Sequence, residues 1–435
     1  MRHNHREQSR TLAYRGRSHT PSTVVAGTIG NVMEWYDFAL YGFFAPVFSQ
    51  LFFPSESALT SLIATYGVFA AGFVMRPLGG VIFGYIGDRF GRAVVLRLSI
   101  AMMSLATFLL GILPGHAQVG VWSAVLLVAV RLLQGMSVGG EFSGSVTYMV
   151  ETSPLHKRGL SGSWANFGSM AGTLLGSGLA ALVTTVLAES QVDAWGWRLP
   201  FVLGGVFGLI AYGFVRKVAT HPHMDHHEAQ HENDSPLREA LTRNRRETIL
   251  AVVFASGYGI LFYLPLVYLP TFATEVGNIN NALALQINAA GLAIAMPLIP
   301  LSGWISDHWL RRRSLLLLAF GLLVVTSVGV FLLAQGGAGS LALAQIGSAA
   351  LLAVPLGAAP AMLVELFPVA DRLTGYSLAY NVGLGVAGGS APMIATWLIS
   401  QTGQDLAPAY YMAFAALLSA AGLYLMKDRS REALR

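Results

Sequence analysis

Gly30-Asn-Val-Met-Glu34-Trp-Tyr-Asp37-Phe-Ala-Leu-Tyr41-Gly42 lies inside an apolar run from about residue 24 to 48, yet it carries two carboxylates. A helix of about 20 apolar residues crosses a bilayer. A charge held at that depth costs several kcal/mol and marks an ion or solute pathway more often than not. On a helix Asn31, Glu34, Asp37, Phe38 and Tyr41 follow i+3 and i+4 steps, so they form one polar stripe on an otherwise apolar rod. The rest of the chain reads outward from that stripe.

Charged residues make up 11% of the 435 residues, against about 25% in an ordinary soluble domain. Hydrophobic residues reach 54% and the mean hydropathy is +0.57. So few charges do not cover a soluble protein of this length, and the composition predicts an all-α integral membrane protein. With no cysteine there is no thiolate nucleophile, zinc–thiolate site or disulfide to consider. The first 22 residues are polar and basic, which argues against a cleaved signal peptide. The net charge of +5 is not a nucleic-acid signal, because the basic residues sit where a bilayer explains them better.

Twelve apolar spans can be counted, near 24–48, 58–86, 93–113, 121–149, 159–187, 198–217, 248–272, 283–305, 314–334, 340–366, 373–400 and 408–426. Of the 27 Lys and Arg residues, all but Arg76, Arg131 and Arg198 fall in the termini or the loops after the even-numbered spans. That asymmetry predicts cytoplasmic termini in a multi-pass plasma-membrane protein, a bacterial inner membrane being the expected site. Trp195 and Trp197 beside Arg198 suit an interfacial aromatic belt on the other side.

The division that follows is a tail at 1–22, a six-helix bundle at 23–217, a polar linker at 218–247, a second bundle at 248–426 and a tail at 427–435. The linker holds His221, His223, His226, His227 and His231 in no spacing that defines a metal site, so no metal and no cofactor is expected. The halves repeat. Gly84-Tyr-Ile-Gly-Asp88-Arg89-Phe-Gly91-Arg92 after span two returns as Gly303-Trp-Ile-Ser-Asp307-His308 after span eight, 219 residues on. Glu151-Thr-Ser-Pro154 with Arg158 returns as Glu365-Leu-Phe-Pro368 with Arg372, 214 residues on. A recurrence at nearly one offset is an internal duplication. Two six-span repeats with a solute site near the midplane between them are a transporter design.

These residues resemble the major facilitator superfamily, whose loop signature is G-x-x-x-D-R-x-G-R after span two. The stripe itself, Arg76-Pro-Leu-Gly-Gly80, the run from Arg131 to Glu141 and Trp195-Gly-Trp-Arg-Leu-Pro-Phe201 narrow the resemblance to its metabolite:proton symporter family. That family includes proline/betaine, α-ketoglutarate, citrate and shikimate permeases, and the pattern is nearest to the proline/betaine branch. The chain departs from it at Ala93, where the first signature has a final Arg, and at His308 and Leu310 in the second copy. It also ends at Arg435, short of the long coiled-coil extension of the osmosensing member, so osmotic sensing is not expected. The resemblance implies alternating access by the two halves, with the loop signature latching the cytoplasmic face. Gly84, Asp88, Arg89, Gly91, Arg92 and Asp307 would form that latch, with Glu151 braced by Arg158 and Glu365 by Arg372.

Five ionisable residues are expected at membrane depth: Glu34, Asp37, Arg76, Arg131 and Glu141. At about 1.5 Å rise per residue, opposite charges among them can meet without unwinding a helix. Three carboxylates against two arginines leave one to spare, and a desolvated carboxylate without a full partner holds a proton readily. Glu34, Asp37 and Glu141 are therefore the expected proton-coupling residues, with Asp37 preferred as carrier and Glu34 as arginine partner. Arg131, Arg76, Tyr41, Gln134, Tyr263, Tyr380 and Asn381 are the expected solute-binding residues; tyrosine faces attract quaternary ammonium groups. Gly135, Gly139 and the row Gly168, Gly172, Gly176 read as close helix contacts. The reading these support is a proton symporter of a small organic solute, a zwitterion or a carboxylate, working as a monomer in the lipid bilayer and without nucleic acid. A proton-coupled drug or metabolite antiporter is the nearest alternative, and a transporter-like nutrient sensor the rival of another class. No nucleophile–base set or phosphate-binding loop points to an enzyme.

Overall fold

In the computed structural model, residues 21–90, 92–139, 141–218, 244–369 and 372–434 are described, with backbone alone at 21–30, 84–85, 87–88, 92–93, 96, 141 and 214–218. The expected histidine-rich linker and the N-terminal tail lie outside the described residues.

The described chain is helical almost throughout. Nine helices are long and apolar enough to cross a membrane among the described residues, beginning with Ala58–Phe83 and ending with Ala407–Leu425. Span six, Arg198–Val218, follows a short helical pair at a 42° bend. Spans one and three are Pro21–Phe43 and Arg92–Gly111, which complete the twelve. Their ends follow local chemistry. Ser57 caps span two by accepting from the Thr60 N–H at 3.3 Å, and Asn280 caps span eight by accepting from the Leu283 N–H at 3.3 Å.

Several spans are broken where the sequence suggested continuous rods. Span two is two helices, Ala58–Val74 and Arg76–Phe90. Pro77 has no N–H to give the preceding turn, and the chain steps there. Span four divides into Trp122–Ser137 and Glu141–Glu151 at Gly139, where a helix interior is weakest. Span seven widens into a π-helical turn at Leu264–Tyr268, which contains Pro265, and span eleven does so at Ala379–Gly388. These breaks all fall beside the central residues described below.

The duplication is visible in the packing. Span one packs on five as seven does on eleven; three packs on six as nine does on twelve; two packs on four as eight does on ten. Across the halves, span five lies against span eight and span eleven against span two, the pairings a pseudo-two-fold axis demands. Glycine sets the closest approach. A Cβ at Gly135 would collide with the Gly72 carbonyl, and one at Gly139 with Gly80 and the Arg76 carbonyl, so spans two and four meet backbone to backbone. That contact brings Arg76 and Arg131 to the same place.

Trp197 departs from the expected interfacial belt. It is 1% exposed, packed edge-on to Phe48 and Phe52 at 5.2 and 6.0 Å, while Trp195 is 44% exposed as a belt residue should be. Arg198 turns back to donate to the carbonyls of Gly111 and Leu113, the open end of span three.

Candidate functional site

The polar stripe of span one is buried, and two arginines meet it. Glu34 Oε1 lies 2.7 Å from Arg76 Nη2, and Asp37 Oδ2 lies 3.4 Å from Arg131 Nη1. None of the four side chains is more than 3% exposed. The tighter pair is Glu34 with Arg76. Asp37 has a looser hold on its arginine and sits among Thr107 and Gln134. Gln134 accepts from Arg131 Nη1 at 2.9 Å and turns its amide toward Thr107 Oγ1 at 3.4 Å.

Aromatic rings separate the two pairs. The Phe38 ring centre is 4.8 Å from the Arg76 guanidinium carbon and 4.6 Å from that of Arg131. Phe73 serves Arg76 at 4.6 Å, and Tyr41 serves Arg131 at 4.3 Å. Such contacts replace part of the water that each cation has lost. All of these residues belong to spans one to four. The second half closes over them with Tyr263, which lies 5.4 Å from Phe73, 5.7 Å from Phe69 and 6.2 Å from Trp35, centre to centre. The Tyr263 hydroxyl and Trp35 Nε1 are buried without a hydrogen-bond partner.

Glu34, Asp37, Arg76, Arg131, Tyr41, Gln134 and Tyr263 therefore come together, and Tyr380 of span eleven joins them beside Arg76. The Tyr41 hydroxyl is spoken for, donating to the Thr65 carbonyl at 3.0 Å. The Tyr380 ring also stacks on Phe142 at 4.4 Å, and Asn381 donates to the carbonyls of Ser377 and Gly139, so span eleven is bound to span four here. The Glu141 side chain lies outside what is described. Phe69, Phe73 and Thr107 were missed. The first two carried a signal, since Phe69, Phe73 and Arg76 share one helical face of span two.

A second network of charge lies on the face that carries the end of the chain. Asp307 accepts from the backbone N–H groups of Gly159 and Leu160 at 2.8 and 2.9 Å, and pairs with Arg312 at 2.6 Å. It thus caps span five of the other half. Arg312 continues to Glu365 at 3.1 Å. The expected braces are corrected here. Glu151 pairs with Arg372 at 2.6 Å, and Arg158 lies 3.7 Å from Glu365. Each pair crosses between the halves, because the end of span four lies beside the start of span eleven and span five beside span ten. Arg158 and Arg312 also donate to the carbonyls of Glu432 and Ser430. Arg312 was not singled out from the sequence, although it opens span nine five residues after Asp307. Arg89 is exposed beside Phe90. The side chains of Gly84, Asp88 and Arg92, and the whole of Gly91, lie outside the described residues. The opposite face is closed too, where Tyr66 donates to Thr271 at 3.1 Å and Val267 fills the space over Gly42.

Residues 27–359 match the family model of the Major Facilitator Superfamily. The chain belongs to that superfamily. It is 31% identical over 422 residues to the glycine betaine/proline/ectoine/pipecolic acid transporter of Dickeya dadantii, covering 95% of this chain and 84% of that one. It is 31% identical over the same extent to the proline/betaine transporter of Escherichia coli, and 34% identical over 396 residues to a putative proline/betaine transporter of Staphylococcus aureus, covering 90% of this chain and 84% of that one. Among solved structures, a D-xylose–proton symporter superposes with a TM-score of 0.70 at 20% identity, covering 96% of this chain and all of the other. A partially occluded inward-open form of the xylose transporter of Escherichia coli superposes at 0.68 and 17% identity, covering 94% and 99%. These likenesses share the fold. The protein is a multi-pass membrane transporter of the facilitator fold, a carrier of solutes and not an enzyme.

Proposed function

We propose that the protein imports a small zwitterionic solute of the proline and betaine kind together with protons, with both termini in the cytoplasm. The observation that carries this reading is the central set: two carboxylates and two arginines, all but dry, confined to one half and covered by Tyr263 of the other. A transporter that only needed packing would fill this volume with apolar side chains at lower cost. Charged pairs at membrane depth are the groups that can exchange partners with a solute and a proton. The relatives named above as carriers of betaine and proline point to the same solute class. The asymmetry of Lys and Arg supports the orientation, and the repeat supports a division into bundles at 23–217 and 248–426 that rock about the central set, with the terminal-face network as gate.

The test is uptake by proteoliposomes of labelled glycine betaine, proline, dicarboxylates, citrate and shikimate. Accumulation of a zwitterion should follow an imposed inward proton gradient and collapse with a protonophore. Uptake that follows sodium and ignores the protonophore would remove proton coupling from the reading.

A further inference from the structure

We infer that the solute is held by its carboxylate, side-on, at the Nε–Nη2 edge of Arg131, and that Gln134 is the positioning residue that leaves this edge free. This deepens the transport reading and rests on it. A guanidinium presents two kinds of donor pair, and the Nε–Nη2 edge offers two parallel N–H groups that match the two oxygens of a carboxylate. Arg131 spends its other end inside the protein. Nη1 faces both Asp37 Oδ2 at 3.4 Å and Gln134 Oε1 at 2.9 Å. Nε and Nη2 are buried and have no hydrogen-bond partner. A donor left unmade in a dry interior is costly, more so on a charged group, so two on one edge are a standing demand for an acceptor.

The surroundings decide what kind of acceptor. The ring faces of Phe38, Tyr41 and Phe69 lie 4.6, 4.3 and 5.5 Å from the Arg131 guanidinium carbon, and Phe38 and Phe73 also receive Arg76. The protein's own cations already occupy these faces, so they are poor seats for a quaternary ammonium group. Beside Nε stands Gly72, where an added Cβ would lie 3.3 Å from the Arg131 carbonyl, 3.7 Å from the Phe38 ring and 3.8 Å from Nε, so no protein side chain from span two reaches the edge at this position. Gln134 fixes the roll of the guanidinium through Nη1 and is itself turned toward Thr107, so its amide is not available to the solute. Glu34 and Asp37 balance Arg76 and Arg131; a zwitterion adds no net charge, and its carboxylate at Arg131 competes with Asp37 as the counter-ion, which leaves Asp37 the group to take up a proton.

The experiment uses the full chain purified in detergent and titrates matched pairs by calorimetry: glycine betaine against choline, proline against prolinol, succinate against succinamide. In at least one pair the carboxylate should bind and its partner should be weaker by tenfold or more. Arg131→Lys keeps the charge and loses the paired donors, and should weaken the carboxylate by a similar factor. Gln134→Leu should raise the KM for uptake in proteoliposomes with the maximal rate kept, which a merely structural defect would not do. Choline binding as tightly as betaine, or no carboxylate binding at all, overturns the inference on the unaltered protein, whatever the variants do. Carboxylate binding that survives while proton-driven uptake fails would instead remove the coupling reading and leave the edge in place.

Discussion

The protein holds two buried charge networks, and they are built to opposite rules. The central one, Glu34–Arg76 and Asp37–Arg131, lies wholly within the first six spans. The terminal-face network crosses between the halves at Arg158–Glu365, at Glu151–Arg372 and at Asp307, which is met by two backbone N–H groups of span five, while Arg312 joins Asp307 to Glu365 inside the second half. A set that is complete within one half does not feel the halves move, whereas a set that spans both is broken when they separate. The difference supports the proposal that the centre binds and the face gates, since an open face must release Asp307 from span five and Arg372 from Glu151.

The largest expected effect lies at the centre. Arg131→Leu strands Asp37 in a dry interior and should cost about 3–5 kcal/mol, read as a lowered melting temperature of the purified protein. Adding Asp37→Asn in the same chain should recover most of the loss, with accumulation still abolished. A single variant that melts like the parent would show that the pair is not buried as described, and the contrast between the two networks would lose one side.

The next effect concerns the face. Asp307→Asn keeps the shape but loses the ion pair and the charged cap of span five. At about 1.5 kcal/mol or more for hydrogen bonds to a charge, it should raise the population open at that face by about tenfold. Labelling of a cysteine at Ser163, which is buried against Gly303, should rise accordingly while the melting temperature moves little. Unchanged labelling would take the gate away from Asp307. The smallest effect is at the rim. Glu151 is 29% exposed, so Glu151→Gln should shift the same labelling by an amount worth about 1 kcal/mol or less. A shift as large as that of Asp307→Asn would mean that the crossing pair, not the helix cap, bears the load.

How much of this stood in the sequence follows from which signals are local. The stripe on span one, the arginines and the repeat depend on spacing along one helix and on composition, and the twelve spans, the fold and the gathering of Glu34, Asp37, Arg76 and Arg131 follow from them. What depends on which helix lies beside which was not legible. Glu151 and Arg158 sit seven residues apart and read as partners, yet each reaches across to the other half, because the repeat places span four beside eleven. Phe38 reads as filler on the stripe, and only the approach of spans two and four through Gly72 and Gly135 turns it into the spacer between two arginines. Trp197 carries the letters of an interfacial belt, and its burial is decided by Phe48 and Phe52 on another span.

The central proposal is that Asp37 carries the coupled proton beside the arginine that would hold the solute. The direct measurement compares uphill, proton-driven uptake with solute counterflow for Asp37→Asn in proteoliposomes, beside the parent protein. The amide stands for the protonated carboxyl and leaves no bare negative charge in the interior, so the fold should persist. The account predicts that accumulation against a gradient is lost while counterflow continues. An Asp37→Asn protein that still accumulates solute in response to a proton gradient would contradict it.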